Sequence, residues 1–257
     1  MDSATAIGVG GGLGVIVLAN VLEGGHPASL LLLPPLLLVF GTTILVTVAG
    51  GTMADAKGAG VALKRAFTGS VRPAGEVVPT VVALADKARR EGLLSLEDSL
   101  KDVDDEFLVK GVTLAIDGND PEEVRTILEG ELIAKRRSEK HAAKFFGDAG
   151  AYAPTIGIIG TVMGLVHVLE NLAKPEELGG LIAAAFIATL WGVMSANVMW
   201  LPISNRLKRL TELELARMEI VIEGVSAIQS GANPRVVQYR LASLLPAEQR
   251  PADERAA

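Results

Sequence analysis

Four long apolar runs constrain this chain more than any other feature of its sequence. They cover residues 4–22, 28–51, 149–166 and 178–205, and none contains Asp, Glu, Lys or Arg. A helix of about 20 apolar residues crosses the hydrocarbon core of a bilayer. Because a charged side chain is costly there, long charge-free runs are typical of membrane segments. The sequence therefore predicts four transmembrane helices.

Composition agrees with a membrane protein and excludes several other classes. Hydrophobic residues make up 49% of the 257 positions and the mean hydropathy is +0.39, which is too apolar for an ordinary soluble protein of this length. The chain has no cysteine, which excludes disulfides, thiol catalysis and cysteine-ligated metal. Its net charge of −6 is spread along the sequence, so the composition indicates a lipid bilayer and no nucleic-acid partner.

The alternation of apolar and charged segments divides the chain into five parts. The predicted parts are a transmembrane hairpin at 1–51, a water-exposed helical domain at 52–147, a second hairpin at 148–205, a helical extension at 206–245 and a disordered tail at 246–257. No Lys or Arg precedes the first run, so we interpret it as a retained span and not as a cleaved signal. The predicted fold class is an all-α integral membrane protein with a helical domain between its second and third spans.

The distribution of Lys and Arg predicts the orientation. These residues cluster after the second run, before the third and after the fourth, whereas segment 23–27 has none and segment 167–177 has only Lys174. By the positive-inside rule, both termini and the helical domain lie in the cytoplasm. We therefore expect a multi-pass protein of the cytoplasmic (inner) membrane.

Local sequence signals predict several helix boundaries. Gly92 follows ADKARRE and should end a helix, and SLED has the capping-box pattern with Ser95 as N-cap. Asp120, followed by proline and two acids, should begin another helix. Pro34 and Pro35 should bend the second span, which a membrane helix tolerates when neighbours satisfy the freed backbone groups.

The sequence contains no common catalytic motif, such as a Walker loop, HExxH, GxSxG or the kinase set. Its three histidines, His26, His141 and His167, have no metal-ligand neighbour at helical spacing. We therefore expect neither an enzyme nor a bound cofactor or metal.

The apolar runs also contain no ionisable side chain, although a protein that transports ions by itself normally places one within the membrane. Two interpretations remain open. Either the chain conducts nothing, or the carboxylate that binds the ion belongs to another polypeptide.

Thr161 and Thr189 provide a candidate site for the second interpretation. At a rise of 1.5 Å per residue, Thr161 lies about 10 Å along its helix from Pro154, and Thr189 lies about 25 Å from Arg206. Small residues near these threonines would admit a partner helix or water: Gly157, Gly160, Gly164, Ala185, Gly192 and Ala196. The alternative is that each hydroxyl only bonds the carbonyl four residues earlier in its own helix.

Pro154 and Pro202 lie a few residues from the cytoplasmic charges, one where the chain enters the third span and one where it leaves the fourth. Two helices that flex at the same depth would form a hinge. The alternative is that both prolines produce ordinary kinks.

Four stretches of the sequence resemble the MotA family, the larger flagellar stator subunit of the MotA/TolQ/ExbB channel group. They are LEGGHPASLLLLPPLLLVFGTT, ARREGLLSLED, APTIGIIGTVMGLVHVL and GGLIAAAFIATLWGVMSANVMWLPISN, which follow one another between Leu22 and Asn205 in the family's order and spacing. The resemblance implies a pentameric ring of these subunits around a MotB-like partner whose transmembrane Asp binds the ion. It also implies that H⁺ or Na⁺ flow drives torque on the rotor protein FliG.

The same resemblance assigns roles to individual residues. Arg89 and Glu97 match the charged residues of the family's rotor-facing segment, and Arg90 is a further candidate. Pro154 and Pro202 match its two functional prolines. Sodium-driven relatives tend to carry threonine in both channel-facing spans, as this chain does at Thr161 and Thr189, so the resemblance favours Na⁺ without excluding H⁺.

Two alternative functions remain open at this point. One is an ExbB/TolQ-like energiser of outer-membrane processes, although such relatives usually have three spans and an external N-terminus. The other is a membrane scaffold that conducts nothing and whose helical domain binds cytoplasmic partners.

Overall fold

The computed structural model describes residues 4–250, and the regular secondary structure in that range is helical. The described residues form two compact units. We call the first the apolar unit, which comprises residues 4–70 and 139–209, and the second the charged unit, which comprises residues 71–138 and 210–250.

The longer helices account for most of the chain. They are α1 Ala4–Leu22, α2 Leu33–Ala49, α3 Met53–Thr68, α4 Val78–Glu91, α5 Glu106–Ile116, α6 Pro121–Glu170, α7 Pro175–Gln229 and α8 Pro234–Ser243. A π-helical segment interrupts α2 at Leu37–Gly41 and α7 at Ser195–Trp200. Both α6 and α7 contribute residues to both units.

Within residues 4–250, three helices are long and apolar enough to cross a membrane: α1, α6 and α7. The second predicted span is shorter in the structure, because a 3₁₀ turn at Pro27–Leu30 precedes α2 and leaves it 17 residues from Leu33 to Ala49. At 1.5 Å per residue that is about 25 Å, against about 30 Å for the hydrocarbon core. The count of four spans therefore stays a prediction.

The predicted bend at Pro34 and Pro35 is wrong. Both prolines lie in the first turn of α2, after Leu32 as N-cap. A first-turn proline removes no intrahelical hydrogen bond, since the N–H it lacks would have no partner there. The pair therefore starts the helix and does not kink it.

The charged unit has one apolar core, to which α4, α5, α6, α7 and α8 all contribute. Its fully buried side chains include Val81, Leu108, Val112, Val124, Leu128, Ile220, Ile228 and Leu241. Each such side chain contributes about 1.5–3 kcal/mol when removed from water. Helices from the water-exposed domain predicted at 52–147 and from the extension predicted at 206–245 therefore share one core.

Two of the predicted helix boundaries are confirmed. Gly92 ends α4 with φ of 86°, a left-handed conformation that favours glycine. At the start of α6, the backbone N–H of Glu122 donates to the Asp120 carboxylate at 2.9 Å. Residues that begin or end a helix through a specific backbone role were thus predictable from the sequence.

The predicted capping box at Ser95 is wrong. Ser95 has φ of −67° and ψ of −14°, which is already helical, and its hydroxyl donates to the carbonyl of Gly92 at 2.7 Å. An N-cap residue needs extended backbone to accept from the following turn. Thr52 meets that condition and forms a capping box with Asp55 at the start of α3.

The C-terminal part of the described chain follows the prediction with one difference. Helix α8 runs from Pro234 to Ser243, within the helical extension predicted at 206–245, and Asn233 caps it. The predicted tail begins with an ordered turn at Ala247–Gln249, whose Gln249 side chain accepts from the backbone of Gly75 at 3.3 Å. Residues 251–257 lie outside the described residues.

Candidate functional site

Helices α6 and α7 pack backbone to backbone within the apolar unit. A Cβ atom on Gly157 would lie 2.8 Å from the carbonyl oxygen of Ala188, and one on Gly192 would lie 2.7 Å from the carbonyl oxygen of Ala153. Side chains cannot occupy those positions, so only glycine permits this approach. The small residues predicted to admit a partner helix therefore admit the other helix of the same hairpin.

Thr161 and Thr189 meet at this interface, where both are partly buried. Their hydroxyl oxygens are in direct hydrogen-bond contact. Thr161 also donates to the carbonyl of Ala185 at 2.9 Å, and Thr189 lies 3.2 Å from the carbonyl of Gly157. Ala185 precedes Thr189 by four residues on α7, and Gly157 precedes Thr161 by four residues on α6. Each threonine hydroxyl therefore contacts the carbonyl that lies one turn before the other threonine, on the facing helix.

This arrangement differs from the simpler expectation of separate bonds within each helix. Thr161 retains a longer 3.3 Å contact to the Gly157 carbonyl of its own helix, whereas the Thr189 hydroxyl contacts Thr161 and the Gly157 carbonyl, both on α6. Two hydroxyls carry two protons and four lone pairs. They cannot donate to both carbonyls and to each other simultaneously. A hydrogen bond between them uses only one of the four lone pairs, so the others can accept a hydrogen bond or ligate a cation.

The site itself contains no acid. The nearest apolar-run residues are uncharged, and within residues 4–250 no group of three or more His, Asp or Glu could hold a metal ion. Hydroxyl and carbonyl oxygens can relay a proton or coordinate a hard cation, but they carry no negative charge to offset that of a bound cation. The described residues of this site therefore supply polar oxygens and no carboxylate.

The two prolines occupy different backbone environments. Pro154 lies within the uninterrupted helix α6, whereas Pro202 follows the π-helical segment Ser195–Trp200 by two residues. Single π-helical turns within α-helices are frequent at functional sites. The irregularity that a hinge would need is therefore present at Pro202.

An aromatic cluster surrounds this π-helical segment, and sequence analysis did not identify it. The ring of Phe40 lies 5.6 Å from that of Trp191 and 6.2 Å from that of Trp200, while Phe146 stacks on Trp200 at 6.4 Å. Among the described residues the buried indole N–H of Trp200 has no acceptor. The available signal was that both tryptophans of the chain fall in the fourth apolar run.

The predicted rotor-facing residues lie together on the charged unit. Arg89 and Arg90 end α4, and Glu97 lies in the single turn Leu96–Ser99 that follows. All three are exposed, and Arg90 forms an ion pair with Asp86 on its own helix. Among the described residues neither Arg89 nor Glu97 has an ion-pair partner.

The backbone between Arg89 and Glu97 is anchored to the core of the charged unit. Leu96 is fully buried in the core of the charged unit, and Ala88 is buried at the end of α4, so the backbone on both sides of Gly92 is fixed. Leu94 between them is 75% exposed. The structure thus places Arg89 and Arg90 in the last turn of α4 and Glu97 in the next turn, with the exposed Leu94 between them in the sequence.

Comparison with known proteins identifies the family. The chain is 35% identical over 245 residues to Motility protein A of Treponema pallidum, an alignment that covers 95% of this chain and 94% of that protein. Residues 99–220 match the family model described as the MotA/TolQ/ExbB proton channel family. The chain belongs to this family. It is also 42% identical to Motility protein A of Bacillus subtilis over 68% of this chain and 65% of that protein.

The fold agrees with that of solved members of the MotA/TolQ/ExbB family. The flagellar MotAB stator complex from Bacillus subtilis contains a chain that matches with a TM-score of 0.89 at 35% identity, covering 97% of this chain and 98% of that one. The all-helical architecture with long apolar helices is therefore the stator fold. Because the family consists of channel and stator proteins, the chain is not an enzyme.

Proposed function

We propose that this chain is a flagellar motor stator subunit that conducts ions together with a MotB-like partner and converts the flow into torque. The observation that carries the proposal is the Thr161–Thr189 pair, a polar site inside an uncharged hairpin that lacks only an acid. The relatives named Motility protein A and the similarity to a MotAB stator complex support a partner that supplies it.

In this proposal the threonine pair faces a transmembrane Asp of the partner. The hydroxyl lone pairs accept a hydrogen bond from the protonated acid, or replace water around a cation that the ionised acid attracts. The proposal includes transport of H⁺ or Na⁺, and the hydroxyl of Thr161 favours Na⁺. No cofactor takes part.

Motion would pass from the site to the rotor along helices that the two units share. Helix α7 carries Thr189 and Pro202 before it continues into the charged unit, and α6 carries Pro154 and Thr161. The prolines act as the conformational hinge in this scheme. Arg89, Arg90 and Glu97 act on charged residues of the rotor protein FliG.

The proposed assembly follows from the same family relationship. Five copies of the chain surround the partner, each with four spans, in the cytoplasmic (inner) membrane. Both termini and the charged unit face the cytoplasm, in agreement with the clusters of Lys and Arg beside the apolar runs.

Ion currents test the proposal directly. Cells that express the chain alone should show no added conductance, and co-expression of a partner with one transmembrane Asp should produce it. Current from this chain alone, or none with the partner intact, would contradict the proposed role. An ExbB/TolQ-like energiser would fail to restore swimming in a stator-deficient strain, and a scaffold would assemble with the partner without conducting.

A further inference from the structure

Helix α3 has one face that is fixed within the apolar unit. Ala59, Ala62 and Ala66 are buried in a cluster that includes Phe146 of α6 and Leu207 of α7. An ion pair between Arg65 and Glu139 lies beside this cluster. The rotation of α3 about its own axis is therefore set by packing within the unit.

The opposite face of α3 combines basic and large apolar side chains in one stripe. Met53, Lys57, Val61 and Lys64 fall within about 80° of one another at 3.6 residues per turn. Met53 is 64% exposed and Val61 is 74% exposed, and both lysines are exposed. A face turned to water would ordinarily not place large apolar side chains between its charges.

The stripe begins close to the end of an apolar helix, and the segments around it are strongly basic. Helix α3 starts at Met53, four residues after the apolar helix α2 ends at Ala49. Segments 52–70, 139–148 and 201–209 together contain eight Lys and Arg but only three Asp and Glu. Each of those acids is engaged: Asp55 in the capping box, Glu139 with Arg65 and Asp148 with Lys144.

We propose that the outer face of α3 binds the headgroups of anionic phospholipids at the membrane surface. Met53 and Val61 enter the boundary between headgroups and acyl chains, while Lys57 and Lys64 extend to the phosphates. Each lysine near an anionic leaflet adds about 1 kcal/mol of attraction, which is about a fivefold change in association. A protein partner fits less well, because the stripe adjoins the membrane segments and its charges are all of one sign.

The chain has no cysteine, so a single fluorophore can be placed on this face. The full-length protein with Val61→Cys, labelled and held in neutral detergent, is titrated with spin-labelled phosphatidylglycerol or with spin-labelled phosphatidylcholine. We expect half-maximal quenching at a much lower concentration of the anionic lipid. Leu94→Cys is the matched control, since Leu94 is 75% exposed on the charged unit and should be quenched by neither lipid.

Charge removal completes the test. The double substitution Lys57→Gln and Lys64→Gln should raise the phosphatidylglycerol concentration for half-maximal quenching about thirtyfold. The control is the double substitution Lys101→Gln and Arg235→Gln, which removes two exposed charges from the charged unit and should leave that concentration unchanged. Equal requirements for the two lipids would overturn the proposal. The proposal would also be overturned if the label at position 61 became shielded from solvent as protein concentration rose, whether or not lipid was present. A second copy of the chain would then cover α3. None of these readouts depends on ion conduction.

Discussion

The hydroxyl oxygen of Thr189 lies 3.2 Å from the carbonyl oxygen of Gly157, on the facing helix. Thr161 makes the reciprocal contact with Ala185, and the two hydroxyls touch. The polar atoms of the candidate site therefore depend on the packing of α6 against α7, and substitutions can separate the chemistry of the site from that packing.

Thr189→Val tests the chemistry. Valine keeps the shape of the side chain but removes the hydroxyl, so we expect conduction with the partner and swimming speed to fall at least tenfold. Loss of one hydrogen bond costs about 1 kcal/mol of stability, so the complex should still assemble. Thr155→Val is the control, because Thr155 is exposed and bonds only Tyr152 of its own helix. Normal conduction in Thr189→Val would rule out a role for this hydroxyl.

Gly157→Ala tests the packing. The added methyl would lie 2.8 Å from the carbonyl oxygen of Ala188, and overpacking of this kind costs about 1–3 kcal/mol. We expect a lower melting temperature for the purified protein. Gly8→Ala adds the same methyl in α1, where nothing lies within 4 Å, and should leave the melting temperature unchanged or slightly higher. Equal effects of both substitutions would contradict the close contact.

Arg89→Glu and Glu97→Lys test the rotor-facing turn. Both side chains are exposed and neither has an ion-pair partner among the described residues, so reversal should leave folding intact. We expect swimming to be lost while ion current with the partner is retained. Arg235→Glu, also an exposed reversal on the charged unit, should retain both. Loss of current together with swimming would indicate a defect in assembly and not in torque.

The helix caps give a prediction about stability and pH. Hydrogen bonds from the Thr52 side chain and backbone lower the pKa of the Asp55 carboxyl below its usual value. A lowered folded-state pKa stabilises the protein above the unfolded pKa, near 3.9, and this contribution is lost as pH falls through the folded value. Thr52→Ala should therefore lower the melting temperature at neutral pH, and part of that effect should disappear in acid. The rest should remain, because the hydrogen bond from the Asp55 backbone N–H to the Thr52 hydroxyl does not depend on the charge of the carboxyl. Ser95→Ala, which removes no cap, should change little at any pH.

Swimming speed measured against sodium at fixed pH tests the transported ion. If Na⁺ is carried, speed should rise with sodium in the wild type, and Thr161→Ala should raise the sodium concentration for half-maximal speed. Removal of one oxygen from the cation's surroundings is the physical reason. Speed that is independent of sodium in both proteins would make H⁺ the transported ion.

The sequence predicted those features that depend on local chemistry. Uncharged runs identified the long apolar helices, and Gly92 and Asp120 marked helix ends because their backbone requirements are specific. Ser95 was misassigned because a capping pattern does not reveal whether the backbone at the cap is extended. The same limit applied to Pro34 and Pro35, whose effect depends on where the helix starts.

Features that depend on the rotation of one helix against another could not be predicted. The sequence placed Thr161 and Thr189 at depth beside small residues, but it could not show that they contact each other and exchange carbonyl acceptors. The ring cluster of Phe40, Trp191 and Trp200 likewise requires tertiary packing of residues far apart in the chain. The roles of Arg89 and Glu97 came from the resemblance, and neither their exposure nor the anchoring of Leu96 between them was predicted.

The contact of Gly157 with Gly192 also has a mechanical consequence. Side chains at a helix interface act as compliant spacers, because a change of rotamer absorbs small displacements. Here the two backbones touch with no side chain between them, and a Cβ on Gly192 would lie 2.9 Å from the Cα of Gly157. We therefore expect α6 and α7 to resist twisting against each other at Gly157 and Gly192, and to move together there as one rigid part. Deformation should therefore concentrate where the helical hydrogen-bond ladder is irregular or incomplete, at Ser195–Trp200 and at Pro154, which has no backbone N–H.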